Sequence, residues 1–118
     1  MKQGIVLFAH GSRDPQWAKP FDEICARLRS AGFDVRVAYL ESMRPNLSEA
    51  VAALAAAGVQ AMRVVPAFLG AGGHVKEDLP RLVADAAKAH PEVKLTLEKP
   101  LGEQPAVIDA IARAIAAR

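Results

Sequence analysis

The chain has one cysteine, Cys25, among 118 residues. That excludes an intrachain disulfide and any cysteine-based metal motif. Aromatic residues are scarce, at 5%, and alanine fills much of the apolar fraction, which suits closely packed helices. No apolar stretch is long enough to span a bilayer. Met1-Lys2-Gln3 leads straight into a short apolar run rather than a secretory leader. We therefore expect a cytoplasmic protein with no membrane partner. The net charge of +2 is too small and too dispersed for a nucleic-acid surface. It would suit a small polyanion if the charges gather at one mouth. The dinucleotide fingerprint GxGxxG and the P-loop lysine pattern are also missing, so no organic cofactor is implied.

What is present is an ordinary globular balance, 52% hydrophobic and 24% charged, which argues against disorder. At this length residues 1–118 form one domain with a real core. Ile5–Ala9 is a continuous apolar run, the pattern of a strand covered on both faces. Asp14-Pro15 supplies a cap and a first-turn proline. Pro20 falls too deep for that turn, so a short initial turn or a kink precedes the main helix. That helix carries Phe21, Ile24, Cys25 and Leu28 on one face and ends at Gly32. Val35–Leu40 reads as a second strand. Asn46 caps a helix, with Glu49 placed for a capping box, and Gly58 ends it. Met62–Pro66 is the third strand. After the Gly70–Gly73 link, Leu79, Leu82, Val83 and Ala86 mark a helix with Asp78 as its cap and Pro80 in its first turn; His90-Pro91 closes it. Val93–Leu97 is a fourth strand, and Ile108, Ile111 and Ile115 stripe a last helix. Four strands alternating with four helices predict an α/β fold: a single open four-stranded parallel sheet, helices on both faces, with right-handed crossovers.

Ligands of such sheets bind outside the carboxyl ends of the strands, where strand order reverses. His10 follows the first strand, Glu41 the second, and the glycine-rich link with His74 the third. Ser12, Arg13, Arg44 and Lys76 fall on the same edge. Imidazole binds transition metals and moves protons near neutral pH. A lone histidine after a strand is commonly a hydrogen-bonded structural residue, and a lone Glu41 a solvated loop carboxylate. Two histidines and a glutamate at three successive strand exits favour a functional site instead. The glycines allow close backbone approach, and Phe68 and Leu69 add apolar surface, which suits a flat hydrophobic ligand better than a pyrophosphate. His90 lies at a helix end away from this edge, and Cys25 reads as a small core residue.

Three strings carry a family resemblance: His10-Gly11-Ser12-Arg13-Asp14-Pro15; Arg44-Pro45; and Val64-Val65-Pro66-Ala67-Phe68-Leu69 leading to Gly73-His74 and Asp78-Leu79-Pro80. Together they resemble the small CbiX family of class II tetrapyrrole chelatases, the sirohydrochlorin cobaltochelatases, close relatives of the sirohydrochlorin ferrochelatases. The resemblance covers nearly the whole chain and implies a chelatase-like, flavodoxin-like layering. It implies insertion of a divalent metal, Co2+ first and Fe2+ or Ni2+ as alternatives, into sirohydrochlorin for cobalamin or siroheme. By position His10 matches the metal-binding, proton-accepting histidine, and His74 the second metal-binding histidine. Glu41 matches a carboxylate that assists in some members only. Arg44 and the segment Leu69, Gly70, Ala71, Gly72, Gly73 and His74 match substrate contacts, and Arg13 could meet a substrate carboxylate beside them. Larger class II chelatases resemble two such halves around one cleft, which implies a homodimer here. A non-catalytic metal carrier stays open as an alternative. A phosphoryl-transfer enzyme fits less well, because Ala9 occupies the place of the arginine such His-Gly motifs use.

Overall fold

A computed structural model of the chain describes residues 2–70 and 72–117. The strands are β1 (Gln3–Ala9), β2 (Asp34–Tyr39), β3 (Ala61–Pro66) and β4 (Lys94–Leu97), and the helices are α1 (Lys19–Ser30), α2 (Leu47–Ala56), α3 (Gly73–Ala89) and α4 (Pro105–Ala116). All strand pairs are parallel, in the order β2-β1-β3-β4. The chain steps from β1 to β2 on one side and then crosses back to place β3 on the other. Strand order therefore reverses at the carboxyl ends of β1 and β3, beside His10.

The pleat divides the core. Val6, Phe8, Ala38, Met62 and Val64 face α2 and α3, where Val51, Leu54, Leu79 and Val83 complete one large cluster. Ile5, Leu7, Val35 and Val65 face the opposite way, where Cys25 of α1 joins them. Alternation with both faces apolar is what makes β1 read as one unbroken hydrophobic run. β1 is buried from Gly4 to Ala9.

Local punctuation behaves as its chemistry dictates. Asp14 accepts a hydrogen bond from the Gln16 N–H and opens a 3-10 turn over Pro15–Ala18, after which α1 starts with Pro20 in its first turn. The expected break before the main helix is therefore real. Asn46 and Glu49 form a complete reciprocal capping box, and Gly32 and Gly58 adopt positive φ just past their helices. Boundaries shift by one or two residues: β1 starts at Gln3 rather than Ile5, β2 takes in Asp34 and leaves out Leu40, β3 takes in Ala61, and β4 leaves out Val93.

One expectation fails. α3 does not start at Asp78. It begins at Gly73, with Gly72 as an extended N-cap, so Pro80 lies inside the helix. The Lys76 carbonyl thereby loses its i+4 donor. Asp78-Leu79-Pro80 imitates a helix start, but the helix is already under way.

A second departure concerns α4. Its isoleucine stripe is present, yet none of its residues is buried. Ile108 is 50% and Ile115 74% exposed.

Candidate functional site

Three loops converge at the carboxyl edge of the sheet. The β1–β2 ladder continues past the strands, with the Leu40 N–H donating to the Ala9 carbonyl (2.9 Å) and the Glu41 N–H to the His10 carbonyl (3.0 Å). These two bonds carry Glu41 alongside His10. Their side chains meet, His10 Nε2 lying 2.8 Å from Glu41 Oε1. Both are open to solvent, with side-chain exposures of 46% and 62%. If Nε2 carries the proton that Glu41 accepts, Nδ1 keeps a lone pair for a metal or another proton.

Backbone geometry makes this approach possible. Gly11 adopts φ +102, and a β-carbon there would overlap the Glu41 carbonyl. Ser42 adopts φ +67, uncommon for a residue with a β-carbon. The chain folds back beyond it, and the Tyr39 N–H donates to the Pro45 carbonyl at 2.8 Å. The Arg44–Pro45 peptide is cis.

On the β3 side, the Ala67 N–H donates to the Phe8 carbonyl at 2.7 Å, extending the other ladder. Phe68 then turns inward and is 9% exposed. Its ring meets the His10 ring edge-on, centroids 6.3 Å apart and planes at 73°. An apolar wall thus stands beside the imidazole. Leu69 points outward at 70% exposure. The segment is pinned from behind: the Gly102 N–H donates to the Phe68 carbonyl at 2.8 Å, and a β-carbon at Gly102 would overlap the Leu69 backbone. Gly102 had no role in the sequence reading. The contact spans more than thirty residues and leaves no local signal.

His74 is the second residue of α3 and is exposed, as are Gly70, Gly72 and Gly73. Ala71 lies outside the described residues. His74 reaches the expected edge through the topology but makes no hydrogen bond or ion pair with His10 or Glu41. Among the described residues no three His, Cys, Asp or Glu side chains gather as a metal-holding group.

The cations divide in two. Arg13 and Lys76 are exposed and form no ion pair among the described residues. Arg44 is engaged: its guanidinium contacts the Glu49 carboxylate through Nη2 and through Nε at 3.3 Å. That contact raises the Arg44 pKa. Glu49 is held below the usual carboxylate value by the same guanidinium and by the Asn46 N–H. Glu49 therefore serves the α2 cap and Arg44 together, whereas its spacing had indicated only the cap. Two of the five guanidinium N–H groups are used, leaving Nη1 to offer a ligand.

Cys25 and His90 lie in the core and at a helix end, as their sequence context indicates. Cys25 is 2% exposed, and desolvation pushes its thiol pKa up. Trp17 packs on Phe21, centroids 4.7 Å apart. His90 caps the end of α3. A cavity of about 310 Å3 lies between α2 and α3, lined by Tyr39, Leu40, Asn46, Ser48, Leu82 and Asp85 among others, and neither His10 nor His74 lines it.

Residues 4–118 match the CbiX family model. A sirohydrochlorin cobaltochelatase of Methanosarcina acetivorans is 30% identical over 119 residues, covering 93% of this chain and 92% of that protein. The solved structure of a protein described as a CbiX protein of cobalamin (vitamin B12) biosynthesis, from Marinobacter aquaeolei VT8, superposes with a TM-score of 0.87 at 31% identity. It covers 97% of this chain and 94% of that one. The sirohydrochlorin chelatase SirB of Bacillus subtilis subspecies spizizenii, solved in complex with cobalt, superposes with a TM-score of 0.82 at 25% identity. There the match takes in 98% of this chain but 50% of SirB.

Proposed function

Because this chain belongs to the CbiX family, we propose that it inserts a divalent metal ion, cobalt(II) first, into sirohydrochlorin. The observation that carries the reading is the His10–Glu41 pair, 2.8 Å apart, standing at the strand-reversal edge against the ring of Phe68. Insertion must strip water from the ion, hold it over the macrocycle and remove two pyrrole N–H protons. Neutral imidazoles suit cobalt, nickel and iron. His10 binds the ion through its free ring nitrogen, and His74 approaches it from the start of α3. Once the ion has moved on, the freed ring nitrogens of His10 and His74 each accept one of the two pyrrole protons as general bases. Glu41 orients the His10 ring and stabilises the imidazolium that forms there. Two imidazoles and one carboxylate leave positions for water or pyrrole nitrogen, which suits an ion that must be handed over.

Sirohydrochlorin is flat and carries eight carboxylates. Phe68, Leu69 and the glycines of the 70–73 link form its slot. Arg13, Arg44 and Lys76 form the cationic rim, with the free Nη1 of Arg44 available to a carboxylate. Residues 1–118 act as one chelatase-like unit. Since SirB contains this fold in half its length, two copies enclose one substrate as a cytoplasmic homodimer. A carrier that holds cobalt without a tetrapyrrole would not need the apolar wall beside His10.

The test is an insertion assay with purified protein, sirohydrochlorin and Co2+, Fe2+ or Ni2+ in parallel, followed by the change in macrocycle absorbance. Accelerated insertion with Co2+ leading is expected. Metal binding without any binding of sirohydrochlorin would overturn the reading in favour of a carrier.

A further inference from the structure

Between β2 and α2 the chain makes a three-residue turn of an uncommon kind. The Met43 N–H donates to the Glu41 carbonyl at 2.8 Å, and Ser42 between them adopts φ +67. A bond from one residue to the second one on, closed around a left-handed centre, is the form of γ-turn that side chains resist. Such strain persists only where the surroundings over-determine it, and it gathers at functional sites. Here the turn begins at the residue whose carboxylate meets His10. That carboxylate has no other hydrogen-bond partner among the described residues, and the side chain is 62% exposed. A glutamate held at one point in water gives up rotamer freedom for a single bond. Its aim therefore depends on where the backbone puts it.

Met43 fixes that backbone from inside. Of residues 41–44 it alone is not exposed. Its side chain packs on the apolar cluster of Ala9, Ala18 and Tyr39, which Trp17, Phe21 and Ala67 border. Ala9 precedes His10, and Ala18 ends the 3-10 turn that closes the His10 loop. Met43 thus ties the loop of Glu41 to both ends of the loop of His10. We propose that Met43 is a positioning residue: seated in this cluster, it keeps the turn at Ser42 closed and so aims the Glu41 carboxylate at the His10 ring. It acts through Glu41 alone, since a thioether packed on apolar side chains has no proton to give or take. The consequence for rate rests on the chelatase reading; the consequence for His10 does not.

The test follows the His10 ring in the metal-free, full-length chain. Its signals in a proton–nitrogen correlation spectrum are identified by their loss in His10→Ala. Glu41→Ala marks where they fall once the carboxylate is gone. Met43→Ala is expected to move them toward that position, in a chain that stays folded by far-ultraviolet circular dichroism. Met43→Leu, close to methionine in volume, should leave them at the wild-type position. In the Glu41→Ala background, Met43→Ala should move them no further. Insertion rates should follow the same cycle. Met43→Ala loses up to roughly 10-fold, Met43→Leu restores the rate, and the loss vanishes where Glu41 is already alanine. Ser42→Pro breaks the turn without touching the packed side chain, because the proline ring holds φ negative. It should displace the His10 signals in the same way, and it decides the matter should Met43→Ala fail to fold. Signals unmoved by both variants, or an effect of equal size with and without Glu41, would overturn the proposal and leave Met43 as ordinary packing. So would an unchanged insertion rate in a variant whose His10 signals have moved. A wild type that inserts no metal defeats the chelatase reading alone, and the ring signals still decide whether Met43 aims Glu41.

Discussion

Gly11 lies against the backbone of Glu41 so closely that a β-carbon on Gly11 would overlap the Glu41 carbonyl oxygen, and it does so at φ +102. Gly11→Ala therefore meets two penalties, a left-handed backbone and an overlap with main chain that has no rotamer to yield. We expect a loss of at least about 2 kcal/mol in stability. Metal insertion should fall further than the unfolded fraction explains, because the two loops separate and His10 loses Glu41. Thermal denaturation and the insertion assay on the same preparation measure both. A variant with wild-type melting temperature and rate would show that the loops are not clasped here.

His10→Ala removes the ring that binds the ion and takes one of the protons. Insertion should drop by roughly 100-fold or more. Glu41→Gln keeps a hydrogen-bonding group beside His10 but removes the charge that favours imidazolium, so a loss of roughly 10-fold is expected. Both side chains are exposed and outside the core, so melting temperatures should barely move. Equal rates for Glu41→Gln and wild type would remove the carboxylate from the mechanism.

His74→Ala separates a ligand from a bystander. The imidazole makes no hydrogen bond among the described residues and is exposed in the first turn of α3. Exposed substitutions of this kind stay within about 0.5 kcal/mol. The expected result is a nearly unchanged melting temperature with insertion down roughly 10-fold or more and weaker cobalt binding by titration calorimetry. Unchanged insertion would leave His10 and Glu41 as the metal-handling pair.

What the sequence reveals depends on how far apart the determining residues lie. β1, the Asp14 cap and the Asn46–Glu49 box are local, and their residues announce them. His10 and Glu41 lie 31 residues apart; their shared edge was legible, because parallel neighbours in register deliver their exits to one place, but the contact between their side chains was not. The start of α3 was not legible either. Gly72 offers no capping side chain, whereas Asp78 and Pro80 carry a start signal that the structure does not use. Nor could the Gly102–Leu69 contact be read, since it joins two turns that topology alone brings together. The exposed stripe of α4 was visible as a stripe, but only the packed body shows that nothing covers it.

Gly102→Ala tests the pin behind the apolar wall. Its β-carbon would collide with the Leu69 backbone, so the Phe68–Leu69 turn must move or the 3-10 turn must lift. The site itself keeps His10 and Glu41. Sirohydrochlorin binding should therefore weaken more than cobalt binding does, read as a rise in KM for the tetrapyrrole. An equal effect on both ligands would mean general destabilisation rather than displacement of the wall.

Glu49 ties a surface charge to acid stability and to substrate binding. In the folded chain the Arg44 guanidinium, then the Asn46 N–H, hold its carboxyl below the ordinary value of 4.5. As pH falls, the unfolded chain takes up this proton before the folded chain does. The contribution to stability is therefore complete above about pH 5. It is lost progressively as pH drops from there through the lower folded value. Glu49→Gln keeps an oxygen for the Asn46 N–H and removes the charge. Its deficit in melting temperature should be present at pH 7, shrink toward zero in strong acid, and shrink with added salt because the pair lies at the surface. The same change releases the Arg44 guanidinium from its internal partner. If Arg44 receives a sirohydrochlorin carboxylate, KM for the macrocycle should fall in Glu49→Gln with kcat unchanged. A higher KM would instead mean that Glu49 is needed to hold Arg44 in position for the substrate.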